Sequence, residues 1–219
     1  MDRNLQSGRS TASFRVLAFL LLSQGTFWTA SSSMAAEQGS AEQADQEIRQ
    51  IRDAFVEFLS PQIEKANSFI LKDRRRVLST RQLVLNRLAL TRSQRGQYRG
   101  ISNRYGIPFR ADPSLADVDR LLLRVDEVPQ AILLERAAAV SNWGASPRAR
   151  QTGNFFALQC RRGICRLQPD TAPGTPLSRF SSSLEATRAY AHMINTQPEF
   201  ESFRVARANS RAARGTRRS

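Results

Sequence analysis

The sequence is poor in the residues that build metal and thiol chemistry, since its 219 residues include two cysteines and one histidine, His192. This scarcity excludes most sites that need several sulfur or imidazole ligands, such as a structural zinc site, so we expect no metal and no cofactor. Acidic residues are also few, with 19 Asp and Glu against 33 Lys and Arg. The hydrophobic share of 41% still supplies a core, which excludes a fully disordered chain.

The formal charge of +14 is unevenly distributed along the chain. Residues 74–111 contain ten arginines and no acidic residue, and residues 205–219 contain five more arginines. Such clusters favour nucleic acid, anionic envelope polymers or lipid headgroups as partners, or else form a solvated face whose arginine content reflects genome composition. We expect no nucleic acid, because the sequence has an export signal and no helix-turn-helix, RNP or zinc-finger pattern.

The first 36 residues have the pattern of an export signal. Three arginines precede the apolar run of residues 16–22, and small residues follow up to Ala36. The run is too short to span a bilayer comfortably, so we predict a cleavable signal peptide, with an uncleaved anchor or a buried helix as the alternatives. The sequence therefore predicts an exported protein of the bacterial periplasm or cell envelope.

The rest of the chain is predicted to be mainly helical. Apolar residues recur every three or four positions before Pro61, which is expected to interrupt the helix, and a second helix is predicted over residues 62–90. Residues 131–140 are apolar on nearly every face, which predicts a helix buried at the domain centre. Ser182 and Thr196 are each followed three residues later by Glu, and this spacing predicts the starts of two more helices.

One β-hairpin is predicted among the helices. The runs 154–160 and 164–167 have strand-like composition, and the chain turns between them at residues 162–163. In an oxidising compartment Cys160 and Cys165 favour a disulfide at the hairpin tip over catalytic or metal-binding thiols, and two unpaired core cysteines are the alternative. A disulfide that closes so small a loop stabilises the protein by only about 2 kcal/mol in the chain-entropy model.

Several stretches of the chain are similar to one family. RVDEVPQAILLERAAAVSNWGAS (124–146), GNFFALQCRRGIC (153–165) and FSSSLEATRAYAHMINTQPEFESFR (180–204) contain the ordered motifs VP, SxWG, NxF, Cys-x4-Cys and NTxP. This series resembles the bacterial Bax proteins, a branch of the FlgJ-type peptidoglycan glucosaminidases. RDAFVEFLSPQIEKANSFI (52–70) resembles the helical extension of that branch.

The resemblance implies a fold that is mainly α with a small β-hairpin, an α+β, lysozyme-like fold, plus an N-terminal helical extension. On this basis we expect a signal peptide over residues 1–36, a helical extension with the Arg-rich stretch over 37–111, a glucosaminidase-like domain over 112–204 and a basic tail over 205–219.

The resemblance also implies a chemistry, and this sequence departs from it at one position. Family members cleave the peptidoglycan glycan strand with an acidic residue that stands directly before the Ser-x-Trp-Gly motif and protonates the glycosidic oxygen. Here Ser141, Trp143 and Gly144 match, but the preceding residue is Val140. A valine can neither donate nor accept a proton, and losing a general acid costs about two to four orders of magnitude in rate.

Three carboxylates are weak candidates for a replacement acid. Glu135 lies about 140° around the helix from Val140. Asp170 lies in a Pro-rich stretch that favours a solvent-exposed loop. The spacing of Glu185 from Ser182 already explains it as a helix-capping residue.

Four residues are candidates for contacts with glycan: Trp143, Asn154, Phe156 and Tyr190. Trp143 could instead close the end of the buried helix, Asn154 could be a turn residue, and Tyr190 could pack in the core. We therefore expect a glucosaminidase-family protein that has lost or weakened hydrolysis and binds peptidoglycan. An active β-N-acetylglucosaminidase and an arginine-driven polyanion or nucleic-acid binder are the alternatives.

Overall fold

The structure, a computed structural model, describes the backbone of residues 28–159 and 178–216 and the side chains of residues 42–159 and 178–213. The chain divides into two compact units, residues 1–47 and 48–219. In the first unit, residues 28–47 are helical. The second unit contains the hydrophobic core and the described site residues.

The described ranges are built from helices. They are α1 (Trp28–Leu85), α2 (Arg92–Arg104), α3 (Leu115–Arg124), α4 (Gln130–Ser141), α5 (Pro147–Thr152), α6 (Ser183–Thr196), the 3-10 helix Pro198–Phe200 and α7 (Glu201–Thr216). Helix α1 begins inside the segment predicted to be a signal peptide. Among these helices none has a stretch that is both long and apolar enough to cross a membrane.

Helix α1 continues through Pro61, where an interruption was predicted. Buried residues recur on one face on both sides of the proline, including Leu59, Ile63, Ile70 and Val77. A proline inside a helix removes one hydrogen bond, but apolar packing of the flanking turns offsets that loss. The predicted break is therefore wrong, because tertiary packing outweighs the local propensity.

The predicted hairpin, and with it the α+β, lysozyme-like fold class, is wrong for the part of the chain that the structure describes. Residues 154–158 form a turn rather than a strand, and Ala157 has a left-handed backbone with φ of 51°. The Asn154 side chain accepts from the Leu158 N–H at 3.0 Å and donates to the Leu158 carbonyl at 2.9 Å. This side chain closes the turn, while the Leu158 carbonyl also accepts from the Ser178 N–H at 2.8 Å. The second predicted strand, residues 164–167, lies outside the described residues.

Two further helix predictions meet different outcomes. Ser182 caps α6 as predicted, since its side chain accepts from the Glu185 N–H at 3.2 Å. Thr196 does not start a helix but ends α6, where its hydroxyl donates to the His192 carbonyl at 2.7 Å. Helix α4 buries one face only, because Glu135 and its neighbours on the other face are exposed.

A buried ionic group, the Asp126 cluster, joins the turn between α3 and α4 to helices α1, α6 and α7. The Asp126 carboxylate lies 2.6 Å from Arg211, 3.6 Å from Arg74 and 3.8 Å from Arg207. Asn195 donates its amide to the Asp126 carbonyl at 2.9 Å and accepts a hydrogen bond from Arg207 at 2.9 Å. One carboxylate therefore holds together segments that are far apart in sequence.

Arg207 shows how the basic C-terminal segment is used. This arginine is buried and also donates to the backbone carbonyls of Leu123 at 3.1 Å and Glu127 at 3.0 Å. Burial lowers the pKa of Arg207 to about 10, against the attraction of Asp126, so the guanidinium is still protonated at neutral pH. The segment predicted to be a basic tail therefore contributes a helix whose arginine is part of the folded interior.

Candidate glycan site at the end of helix α4

The Ser-x-Trp-Gly motif forms a tight left-handed turn that ends α4. Asn142, Trp143 and Gly144 all have positive φ, at 50°, 52° and 74°. The buried Ser141 hydroxyl donates to the Ala137 carbonyl at 2.6 Å and accepts from the Gly144 N–H at 2.9 Å. A bulky residue such as Trp143 rarely adopts this conformation, so the surrounding contacts must hold the turn in place.

Gly144 lies where a side chain has no room. A Cβ atom at this position would lie 2.8 Å from Cδ2 of Phe55 on α1. The positive φ and the close approach of Phe55 both require glycine here. The serine and the glycine of the motif are thus explained by the geometry of the turn.

Trp143 packs against α1 at the outer side of the same turn. The indole is half-buried and meets the Phe55 ring edge-on with centroids 6.1 Å apart. The guanidinium of Arg52 lies 5.2 Å from the indole centroid. Arg52 and Phe55 therefore both contact the indole and hold it against α1.

Val140 occupies the position where the resemblance to glucosaminidases predicts an acid. Its side chain is half-buried, and Arg136 precedes it by one helical turn on the same face. The Arg136 guanidinium lies 5.9 Å from the ring centroid of Tyr190, and Tyr190 stacks on Phe156 with centroids 4.8 Å apart. Burial raises the pKa of the Tyr190 hydroxyl, so this phenol stays protonated at neutral pH. The surface next to Val140 therefore presents the Arg136 cation, while Tyr190 and Phe156 are buried.

The candidate replacement acids lie elsewhere. Glu135 is exposed on the other side of α4. The Glu185 carboxylate accepts from the Ser181 N–H at 2.9 Å and the Ser181 hydroxyl at 2.7 Å, at the start of α6. Asp170 lies outside the described residues. Neither described candidate is placed beside Val140 by a contact of its side chain.

Three of the predicted glycan-binding residues, Asn154, Phe156 and Tyr190, are enclosed by the fold. Asn154 is buried, and besides its bonds to Leu158 it donates to the Ser178 carbonyl at 2.8 Å. Phe156 is fully buried in the hydrophobic core. Their side chains are thus engaged in closing the turn after α5 and filling the core. The predicted Cys160–Cys165 disulfide lies outside the described residues.

Sequence reasoning missed a cleft of about 470 Å³ between α1, α2 and α6. Its polar and aromatic lining includes Phe69, Asp73, Arg104, Tyr105, Glu185, Arg188 and His192. Asp73 forms an ion pair with Arg104, and Arg188 lies 4.6 Å from the Phe69 ring centroid. No sequence motif joins these residues, since they come from three distant segments. Because Asp73 is paired and Glu185 is held at the start of α6, neither carboxylate is placed as a free proton donor.

Metal binding has no support in the described part of the chain, where no three His, Cys, Asp or Glu side chains come together. At the end of α4 the described residues can supply hydrogen bonds from Arg136 and an apolar contact on Trp143.

Comparison with known proteins agrees with the motif series. The chain is 32% identical over 162 residues to protein Bax of Escherichia coli strain K12. The match covers 74% of this chain and 57% of that protein, so the chain spans little more than half the length of this relative. No protein-family profile matches the chain, and no solved structure matches it significantly. The predicted resemblance to Bax proteins is confirmed, and the chain is a homologue of protein Bax.

Proposed function

We propose that this Bax homologue is an exported protein of the glucosaminidase type that binds the glycan strand of peptidoglycan and hydrolyses it weakly or not at all. The observation that carries the proposal is Val140. The turn that follows it keeps the serine, tryptophan and glycine of the family motif, and their contacts explain why those three residues are retained. The residue that would donate the proton is the one that has changed.

The chemistry of glycoside cleavage makes this change severe. The leaving oxygen needs a proton from a carboxyl group whose pKa is raised by a partly apolar site. Arg136, one turn before Val140, supplies a positive charge instead. A nearby cation lowers the pKa of a carboxyl group, so the present surroundings also oppose proton donation.

Binding does not require the missing acid. Arg136 is exposed and can donate hydrogen bonds to the acetamido carbonyls and carboxylates of peptidoglycan, and the exposed part of the half-buried Trp143 side chain can contact a sugar ring. We expect the protein to sediment with insoluble peptidoglycan. An Arg136→Gln variant should bind at least several-fold more weakly, whereas Arg120→Gln, at an exposed arginine of α3, should bind as the native protein does.

Hydrolysis is tested by the release of new reducing ends from purified peptidoglycan. The native protein should release none above background. A Val140→Glu variant alone should gain little, because Arg136 holds the introduced carboxyl ionised, and Val140→Glu combined with Arg136→Gln should gain more. Robust turnover by the native protein would overturn the proposal. Glu135→Gln, Asp170→Asn and Glu185→Gln would then identify which carboxylate is the acid.

A further inference from the structure

We propose that the end of α1 and the turn to α2 form a peripheral binding surface for anionic lipid bilayers. This tip surface consists of three leucines and three arginines: Arg75, Leu78, Leu85, Arg87, Leu88 and Arg92. The inference goes beyond glycan binding and does not depend on it. It assigns the membrane contact of the arginine-rich stretch to these six side chains.

The apolar part of the tip surface is exposed to solvent. Leu78, Leu85 and Leu88 are 43%, 50% and 56% exposed. Leu78 and Leu85 are seven positions apart on one helix, so they lie on the same face. Leu88 lies in the turn that follows, which is fixed by its N–H donating to the Leu83 carbonyl at 2.9 Å. Leu78 and Leu85 thus share one face of α1, and Leu88 lies in the turn directly beyond its end.

The basic part of the tip surface is what remains after the fold has used the other arginines nearby. Arg81 pairs with Asp119, Arg104 pairs with Asp73, and Arg99 lies over the Phe109 ring at 4.6 Å. By contrast Arg75, Arg87 and Arg92 are exposed and form no ion pair with any described residue. No acidic residue occurs between positions 74 and 111 to neutralise them locally.

This combination fits a bilayer better than a soluble polyanion. At a membrane interface the leucines can enter the boundary between headgroups and acyl chains while the arginines contact lipid phosphates. A polyanion would neutralise the arginines but leave the leucines in water. The exposed leucines therefore favour anionic lipid as the partner. Replacing the leucines without changing the charge distinguishes a lipid bilayer from a soluble polyanion.

The test is sedimentation of the full chain with vesicles of phosphatidylglycerol and phosphatidylethanolamine, compared with vesicles of phosphatidylcholine. Arg75→Gln/Arg87→Gln/Arg92→Gln should lower the partition coefficient on anionic vesicles by about a hundredfold, the combined effect expected of three arginines. Leu78→Ser/Leu85→Ser/Leu88→Ser should lower it by about tenfold or more without changing the net charge. All variants carry the same N-terminal apolar segment, so their differences report the tip surface.

A matched control removes the same charge elsewhere. Arg49→Gln/Lys65→Gln/Arg179→Gln changes three exposed basic residues away from the tip surface and should bind anionic vesicles nearly as well as the native chain. Circular dichroism and thermal melting show that each variant is folded before it is compared. Equal binding by the leucine variant and the native chain would overturn the proposal and indicate contact with a polyanion through charge. A loss in the control as large as that in the tip arginine variant would overturn it too.

Discussion

Arginine is buried and bonded in one region of this protein and exposed to solvent in another. In the Asp126 cluster, Arg207 is enclosed, forms an ion pair with the Asp126 carboxylate, and donates hydrogen bonds to an amide oxygen and backbone carbonyls. At the tip surface, Arg87 and Arg92 extend into solvent from a turn and a helix start. The first region holds the fold together, and the second leaves its charge for something outside the protein.

The contrast shows that net charge is a poor guide to function until each cation has been located. The five arginines of residues 205–219 count as much toward the total of +14 as any five in the extension. Yet Arg207 and Arg211 both contact Asp126, so part of this charge is neutralised inside the fold. Only the exposed fraction can attract an anionic surface.

The largest expected effect is the loss of the centre of the cluster. Asp126→Ala would leave three guanidinium groups facing one another without their carboxylate, and breaking a buried ionic group in this way costs about 3–5 kcal/mol. The measurement is the free energy of unfolding in urea. Asp119→Ala is the control, because Asp119 is 49% exposed and pairs with Arg81 at the surface, where a pair contributes about 1 kcal/mol or less. Equal losses in both variants would remove the distinction between the two regions.

Changing the arginine itself should separate the two regions next. Arg207→Gln removes hydrogen bonds to Asn195 and to buried backbone carbonyls, so we expect a loss of about 2–3 kcal/mol. Arg92→Gln removes an exposed side chain and should alter stability by about 0.5 kcal/mol or less. Both variants lose one positive charge. If their urea midpoints shift equally, net charge rather than local bonding determines the effect.

Two glycines allow a similar comparison, between a tightly packed and an open position, without a change in charge. Gly144→Ala would place a Cβ atom 2.8 Å from Phe55. It would also put an alanine in a left-handed backbone with φ of 74°, so it should destabilise the protein by about 1–3 kcal/mol. Gly100→Ala in α2 meets nothing within 4 Å and should stabilise by about 0.5–1 kcal/mol. Thermal melting of the two variants should therefore shift in opposite directions. A loss of stability in both would contradict an open environment around Gly100.

Local sequence patterns correctly predicted several structural features that depend on residues close together in the sequence. The helical character, the Ser182 cap and the resemblance to Bax proteins all came from short stretches of sequence, and the structure or the comparison confirms them. Asn154 was expected to open a strand or a turn. The turn is found, because one side chain satisfies both the N–H and the carbonyl of Leu158.

Long-range pairing was beyond such patterns. Asp126 and Arg211 are 85 positions apart, and no local pattern pairs them. The same limit applies to the candidate site, where Phe156 is as apolar as a sugar-stacking residue but is fully buried under Tyr190. Val140 is different, since the absence of a carboxyl group is a property of the residue itself and needs no fold to be recognised.

The smallest expected effect is the pH dependence of stability that arises from His192, in the cleft between α1, α2 and α6. Burial lowers the pKa of His192 below its ordinary value of 6.5, and repulsion by Arg104 lowers it further. Since the unfolded chain then binds a proton more readily than the folded chain, stability should fall as the pH drops below about 6.5.

His192→Gln should flatten that dependence, because His192 is the one histidine of the sequence. The measurement is the melting temperature of both proteins between about pH 5 and 7.5, a window set by the lowered pKa and the ordinary value of histidine. Because the imidazole lies at the surface of an open cleft, water screens it and the slope should be shallow. Identical slopes in the two proteins would mean that the imidazole titrates as it does in the unfolded chain, and that the Arg104 side of the cleft exerts no field on it.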